Sequence, residues 1–447
     1  MPRKPTSLFS LIAYSGPAIP LAMLGLPLIL YLPPFYAGEL GMDLAAVGAV
    51  FAAARMWDAV IDPLIGYWSD RTPGRFGRRK PWLLAGAPLW MLGVYALLSP
   101  PAGVNTLYLW FAAFGFYVAW TMVQIPYQSW GVELSRKYEE RSRITGIRET
   151  GTLVGVILAT AAPVLVFSTP NPPLREVLWV FTVALLVLIP LTVLMAAVVT
   201  PAVPPVVARR PGPLASVRLL ARNRPLLRVL LGSFCLLLAG GLLNSGLLFV
   251  WAHVLELSTL DFLSYVLVQY GCAVLGMPVM VWLGNRIGRH RALALGGGGF
   301  LALQLALLAI TPGAFEQALV VAVAGGLITS VIWVMPPALV GDTVEYGMLA
   351  GGGDQAALYM AALNFVSKMA FAAGVGISLP LLDVLGFNPA GGNTADTLFG
   401  LKMVVIVLPV VPGLLGAAIL FNHQLTASEH ASIRRQLAER GVETGSV

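Results

Sequence analysis

Apolar runs of about 20 residues or more recur along the whole chain, each closed by a short polar segment. A helix of about 20 apolar residues crosses the roughly 30 Å hydrocarbon core of a bilayer. The runs predict helical spans at 8–36, 44–68, 81–99, 105–134, 146–168, 177–200, 227–252, 262–284, 292–311, 315–341, 356–386 and 398–421. The first run holds Pro17, Pro20, Pro27, Pro33 and Pro34, so it is expected to be a broken helix, which membranes tolerate where the break packs on neighbours or lines a cavity.

The polar segments alternate in charge. Arg71, Arg75, Arg78, Arg79 and Lys80 follow span 2, and Arg136, Lys137, Arg141 and Arg143 follow span 4. Arg209, Arg210, Arg218, Arg222 and Arg224 separate spans 6 and 7, Arg286, Arg289 and Arg291 follow span 8, and the tail carries Arg434, Arg435 and Arg440. The opposite segments hold Glu39, Asp43, Glu176, Glu256, Asp261, Glu316 and Asp396, with Arg175 the one clear cation. Cytoplasmic loops carry the excess of Lys and Arg, so both termini are expected in the cytoplasm, which requires an even number of spans.

The pattern repeats after six spans. Basic turns follow spans 2 and 8 alike, and spans 4 and 10 end on Pro126 with Gly131 and on Pro336 with Gly341, five residues apart in each case. The expected organisation is an N-terminal six-helix half at 1–200, a basic cytoplasmic middle loop at 201–226, a C-terminal half at 227–421 and a cytoplasmic tail at 422–447. Two such halves with a site between them near the midplane are the architecture of secondary transporters.

Composition narrows the class further. The chain is 57% hydrophobic and 11% charged, against roughly 25% charged in soluble domains. The net charge of +7 is explained by the loops as an orientation signal, so no nucleic-acid partner is expected. Cys235 and Cys272 lie in apolar runs, and four histidines scattered along the chain form no zinc pattern. Arg3 and Lys4 precede a first span too long for the apolar core of a cleaved signal. The expected location is the inner membrane, and the expected form a monomer without cofactor. A membrane enzyme or receptor is the reading from another class, but no metal-ligand set, nucleophile–base pair or soluble catalytic domain supports it.

Ionisable groups inside spans are costly and mark functional sites. Span 2 holds Arg55, Asp58 and Asp62 at i, i+3 and i+7, on one helical face. Two carboxylates one turn apart can hold a proton or coordinate a small cation. The alternative is a structural network in which Arg55 neutralises the pair, but one arginine cannot cancel two anions. Lys368, isolated in span 11, needs an anion, and Asp58 and Asp62 are its candidates at that depth. Arg148 at the start of span 5 either snorkels to the surface or closes a polar layer.

The segment Asp58-Ala-Val-Ile-Asp62-Pro63-Leu-Ile-Gly66-Tyr-Trp-Ser-Asp70-Arg71-Thr72, with Gly77-Arg78-Arg79-Lys80-Pro81-Trp82, resembles the signature of the glycoside–pentoside–hexuronide:cation symporters of the major facilitator superfamily. Ile125-Pro126-Tyr127, the run Asp342-Thr-Val-Glu345-Tyr346-Gly347 and Lys368 fall where that family has its corresponding motifs. The resemblance covers nearly the whole chain. It implies an all-α membrane protein of twelve helices in two pseudo-symmetric halves, moving a small organic solute by alternating access, coupled to a proton or sodium. It places a cation site at Asp58, Asp62 and Thr121, with substrate-binding positions at Gln124, Gln128, Arg148, Trp333, Asn364 and Lys368. Two departures matter. The family's melibiose-permease branch has an asparagine where this chain has Ile61, which removes an oxygen ligand and favours a proton. Its sugar-binding carboxylates in spans 1 and 4 are absent, the latter replaced by Gln124, which points away from galactosides toward another glycoside or a uronate. The apolar first span also leaves room for a lysolipid or fatty-acid-like amphiphile, the alternative cargo.

A cytoplasmic gate is expected from Asp70, Arg71, Arg78 and Arg79 with Glu133, Arg141, Asp342 and Glu345. Gly296–Gly299 lacks the flanking residues of a phosphate loop and reads as close helix packing. Gly351–Gly353 reads as a flexible loop, and Ala427–Arg440 as an amphipathic helix on the membrane surface.

Overall fold

In the computed structural model, the described residues are 7–72, 76–134, 138–201, 220–349 and 356–422, with 432–433 and 435–436 of the tail. The Gly351–Gly353 loop, most of the middle loop and most of the tail helix therefore lie outside the described residues. Within them lie twelve helices long and apolar enough to cross a membrane. They are α1 (Leu8–Glu39), α2 (Leu44–Arg71), α3 (Lys80–Leu98), α4 (Thr106–Leu134), α5 (Tyr138–Val166), α6 (Leu174–Val199), α7 (Arg224–His253), α8 (Thr259–Ile287), α9 (Arg289–Ala309), α10 (Phe315–Leu349), α11 (Ala356–Val384) and α12 (Ala395–Phe421). Outward-facing Val183, Val187, Leu191, Leu194 and Val198 along α6 show the apolar surface such helices present to lipid.

Side chains fix many helix starts by accepting the unpaired first N–H groups. Asp43 accepts from Ala46 N at 2.7 Å to begin α2, and Asn223 accepts from Leu226 N at 3.0 Å to begin α7. Ser258 and Asp261 form a reciprocal capping box at α8. Glu39, at the end of α1, takes the backbone N–H groups of Leu174 and Arg175 at the start of α6. Only Gly288, at φ 96°, separates α8 from α9, a conformation that costs an L side chain its Cβ clearance.

The expected break in α1 is present. Its α-helical turns alternate with wide π turns at Pro27–Tyr31 and Phe35–Glu39, because proline lacks the N–H that would continue the ladder. Helix α10 runs further than its apolar stretch suggested, through Pro336 and Pro337 to Leu349. The segment Asp342–Gly347 is thus helical rather than a loop, and Leu339, Val340, Thr343, Val344 and Gly347 bury one face of it.

The packing has a two-fold pattern. In the first six helices α1 packs on α5 and α6, α2 on α4, and α3 on α4 and α6. In the second six α7 packs on α11 and α12, α8 on α10, and α9 on α10 and α12, the same pairs shifted by six. The two sets meet through α2 with α11, its counterpart α5 with α8, and α1 with α7.

Candidate functional site

The α2–α11 contact brings the intramembrane charges together. Asp58 is fully buried, and Asp62 lies one turn beyond it on the same face. The Thr121 hydroxyl of α4 reaches both, 2.9 Å from Asp58 Oδ1 and 3.1 Å from Asp62 Oδ1. It carries one proton, so it donates to one carboxylate at a time. Lys368 Nζ of α11 stands 2.5 Å from Asp62 Oδ2. It is also 2.8 Å from Asp58 Oδ2, without a well-angled hydrogen bond to that oxygen. Arg55 Nη1 lies 3.7 Å from Asp58 Oδ2, and its guanidinium faces the Tyr117 ring at 5.4 Å. Two cations now face two anions, so the surplus negative charge that span 2 shows alone is cancelled by Lys368 from the other six-helix set.

The candidates Gln124, Gln128 and Asn364 lie within two helical turns of Thr121 or Lys368. Gln124 lies one turn along α4 from Thr121, and its Oε1 accepts from Trp120 Nε1 at 2.6 Å. Gln128 is half-buried one turn further, and Asn364 is exposed one turn before Lys368. Among the described residues neither amide makes a hydrogen bond. Arg148 gives Nε and Nη2 to Glu149 Oε1 at 3.1 and 2.6 Å. Its neighbours include Tyr14 of α1. Tyr14 stacks on Tyr127 at 4.9 Å, meets Trp130 edge-on at 6.0 Å and donates to the Tyr127 carbonyl at 3.3 Å. Gly131 is needed there, because a Cβ on it would lie 2.0 Å from the Tyr14 hydroxyl. Trp333 is 56% exposed on α10 and has no hydrogen bond or ring partner among the described residues. Glu149, Tyr14 and Trp120 are the neighbours that sequence reasoning missed. Glu149 carried a legible signal, a second charge beside Arg148, whereas aromatics in an apolar run carry none.

The basic turns close on their own sides. Arg78 grips Glu133 with two hydrogen bonds, at 2.6 and 3.3 Å. Buried Arg79 bonds Glu133 at 2.5 Å, Ser69 at 2.7 Å, and Asp70. Arg71 lies instead over the Tyr67 ring at 3.5 Å. In the second set Arg289 donates to Asp342 at 2.6 Å, and Glu345 is buried in α10. The Arg141 side chain lies outside the described residues. Besides the Lys368–Asp62 bond, the two sets are joined at the opposite end by hydrogen bonds from Leu260 N to Pro170 O at 2.9 Å and from Thr259 N to Asn171 Oδ1 at 2.9 Å.

Residues 13–427 match the family of MFS/sugar transport proteins. The chain is 25% identical to a glucuronide carrier protein homolog of Escherichia coli (strain K12), over 92% of this chain and 91% of that one. It is 22% identical to sodium-dependent lysophosphatidylcholine symporter 1 of Xenopus tropicalis, over 92% and 84%. Among solved structures, a bacterial homolog of the human lysosomal transporter Spinster, in an inward-facing and unoccupied conformation, superposes with a TM-score of 0.69 at 13% identity, covering 96% of this chain and 98% of that one.

Proposed function

The chain belongs to the MFS/sugar transport protein family, and we propose that it is a symporter that couples entry of a proton or sodium to uptake of a glycoside-like solute by alternating access. A single observation carries this reading: Lys368 of the second six helices holds Asp58 and Asp62 of the first, at 2.8 and 2.5 Å. A cation arriving between the carboxylates competes with the ammonium for the same oxygens. Its binding weakens the tie between the halves at that point, and the solute's contacts with both halves select the state that follows. Arg55 stays with the first half and keeps Asp58 partly neutralised throughout.

Gln124, Gln128 and Asn364 offer neutral hydrogen-bonding groups to solute hydroxyls, and Arg148 offers a guanidinium to a carboxylate such as a uronate's. The proton is the favoured ion. Sodium wants several oxygens, and Ile61 supplies none, leaving the two carboxylates and the Thr121 hydroxyl. The basic turns are taken as the cytoplasmic face, in an inner membrane, with residues 1–200 and 227–421 as the moving halves. Their separate ion pairs, Arg79–Glu133 and Arg289–Asp342, then belong to an inward-facing state, closed toward the outside by the Leu260–Pro170 contact.

The deciding experiment is uptake of a screened solute into vesicles with an imposed pH gradient in sodium-free buffer. Accumulation driven by the pH gradient upholds proton coupling. Accumulation that requires sodium and ignores pH overturns it and makes Thr121 the next residue to vary. A second cargo is favoured by one feature: α1 carries no carboxylate between Tyr14 and Tyr36, which suits an amphiphile, and a lysophospholipid therefore belongs in the screen.

A further inference from the structure

Away from the charged centre, a groove of about 510 Å³ opens between the end of α3 and the start of α6, at the end of the bundle opposite the basic turns. Pro100-Pro101 ends the α3 side, and Pro172-Pro173 leads into α6. Ser99 and Thr182 hydroxyls join the two helices at 2.8 Å beneath it. Arg175 spends one N–H on the Pro100 carbonyl at 3.2 Å and lays its plane 5.8 Å from the Phe35 ring of α1. Arg175 and Glu176 both line the groove and, among the described residues, neither has an ion pair. Tyr95 and Trp179 flank them, each 49% exposed. Below the groove, exposed Leu92 continues the Tyr95 face of α3, and exposed Val183 and Val187 continue the Trp179 face of α6, at helical spacing.

We infer that this groove seats a phospholipid of the outer leaflet with a zwitterionic phosphoethanolamine headgroup. The guanidinium takes the phosphate, for which its planar fork is suited, and Glu176 takes the ammonium. Tyr95 and Trp179 occupy the glycerol level, where aromatic side chains with one polar edge gather at membrane interfaces. The acyl chains run along the Leu92 and Val183–Val187 stripes. Glu176 sets the selectivity, because an anionic headgroup without an amine meets it as a like charge. A plain aromatic belt would hold lipid without choosing a headgroup. The seat also touches α1, through Phe35 and through Glu39, which fixes the backbone of Arg175. Occupancy is thereby tied to the outer end of a helix that joins both halves. The inference rests on the membrane orientation proposed above only for the leaflet, and not on solute or ion.

The test is the full-length protein in nanodiscs of equal phosphatidylethanolamine and phosphatidylglycerol, with retained lipid counted by native mass spectrometry. The wild type should keep phosphatidylethanolamine over phosphatidylglycerol by about tenfold, the scale of one charge-assisted hydrogen bond. Glu176→Gln should level the two lipids, Arg175→Ala should lower both, and Arg175→Lys should keep the preference. Equal retention by the wild type, or a preference that Glu176→Gln leaves unchanged, overturns the proposal. Should the variants fail to insert, a photoreactive phosphatidylethanolamine analogue decides on the wild type. Label concentrated in 92–101 and 174–187 upholds the seat, and label spread evenly over the lipid-facing helices overturns it.

Discussion

At the scale of single residues, the proposed coupling centre joins Arg55, Asp58 and Asp62, spread over two turns of α2, to Lys368 of α11. Removing one side of a buried ion pair leaves the other uncompensated, typically at roughly 3–5 kcal/mol. Asp58→Asn and Asp62→Asn should therefore each insert yet lose concentrative uptake, down to the level of vesicles without the protein. Normal accumulation by either variant would remove both from the coupling site. Lys368→Ala should also impair uptake. Combined with Asp62→Ala, it should cost less than the two separate losses added together, with a coupling of roughly 0.5–3 kcal/mol expected for groups in contact. Strictly additive losses in a double-mutant cycle would show that the 2.5 Å contact does not operate during transport. Each of these charges was legible in the sequence, since a charge in an apolar run stands out. Their partnership was legible only as a search for an anion, because Lys368 and Asp62 lie 306 positions apart and only the α2–α11 packing fixes the distance.

At the scale of elements, close backbone approach explains why several helices carry glycine where they cross. A Cβ on Gly374 of α11 would lie 2.5–2.7 Å from the backbone of Gly241 and Leu242 in α7. Backbone atoms cannot rotate aside as a flexible side chain can. Gly374→Ala should force the two helices apart and destabilise the fold by roughly 1–3 kcal/mol, the usual cost of overpacking, seen as a lowered thermal midpoint in detergent. An unchanged midpoint would mean that the α7–α11 contact is softer than its geometry. Helix number, order and approximate ends followed from apolar run length. The extension of α10 past Gly341 to Leu349 did not, because run length ends where polar residues begin. Burial against neighbouring helices, seen at Thr343, Val344 and Gly347, keeps a mixed sequence helical.

At the scale of the whole molecule, the contact between the two helix sets at the non-basic end should be the one that opens during transport. Gly48 of α2 sits there against α11, where a Cβ would meet Leu379 Cβ and Pro380 Cδ at 2.9 Å. Gly48→Leu should hold that end apart and shift the population toward the state open to the outside. The check uses a chain lacking Cys235 and Cys272, with cysteine at Ala52 in the same α2–α11 contact. Labelling of Cys at 52 by an impermeant thiol reagent from the outside should rise with Gly48→Leu. Unchanged labelling would place the moving contact elsewhere.

The sequence by itself determined the class of the protein, the number of its membrane helices, its six-helix repeat and the charges set within its spans. These follow from local properties: apolar length against bilayer thickness, and the cost of a charge in hydrocarbon. The tertiary structure alone decided the partners. It chose Lys368 over Arg55 as the main counter-ion of Asp62, brought Tyr14 against Tyr127, and set Glu133 against Arg78 and Arg79 while Asp342 went to Arg289. Pairing between distant segments depends on which helix faces meet. In a bundle of twelve apolar helices the sequence leaves that choice to small differences in packing, to glycine approaches and to a few buried polar groups.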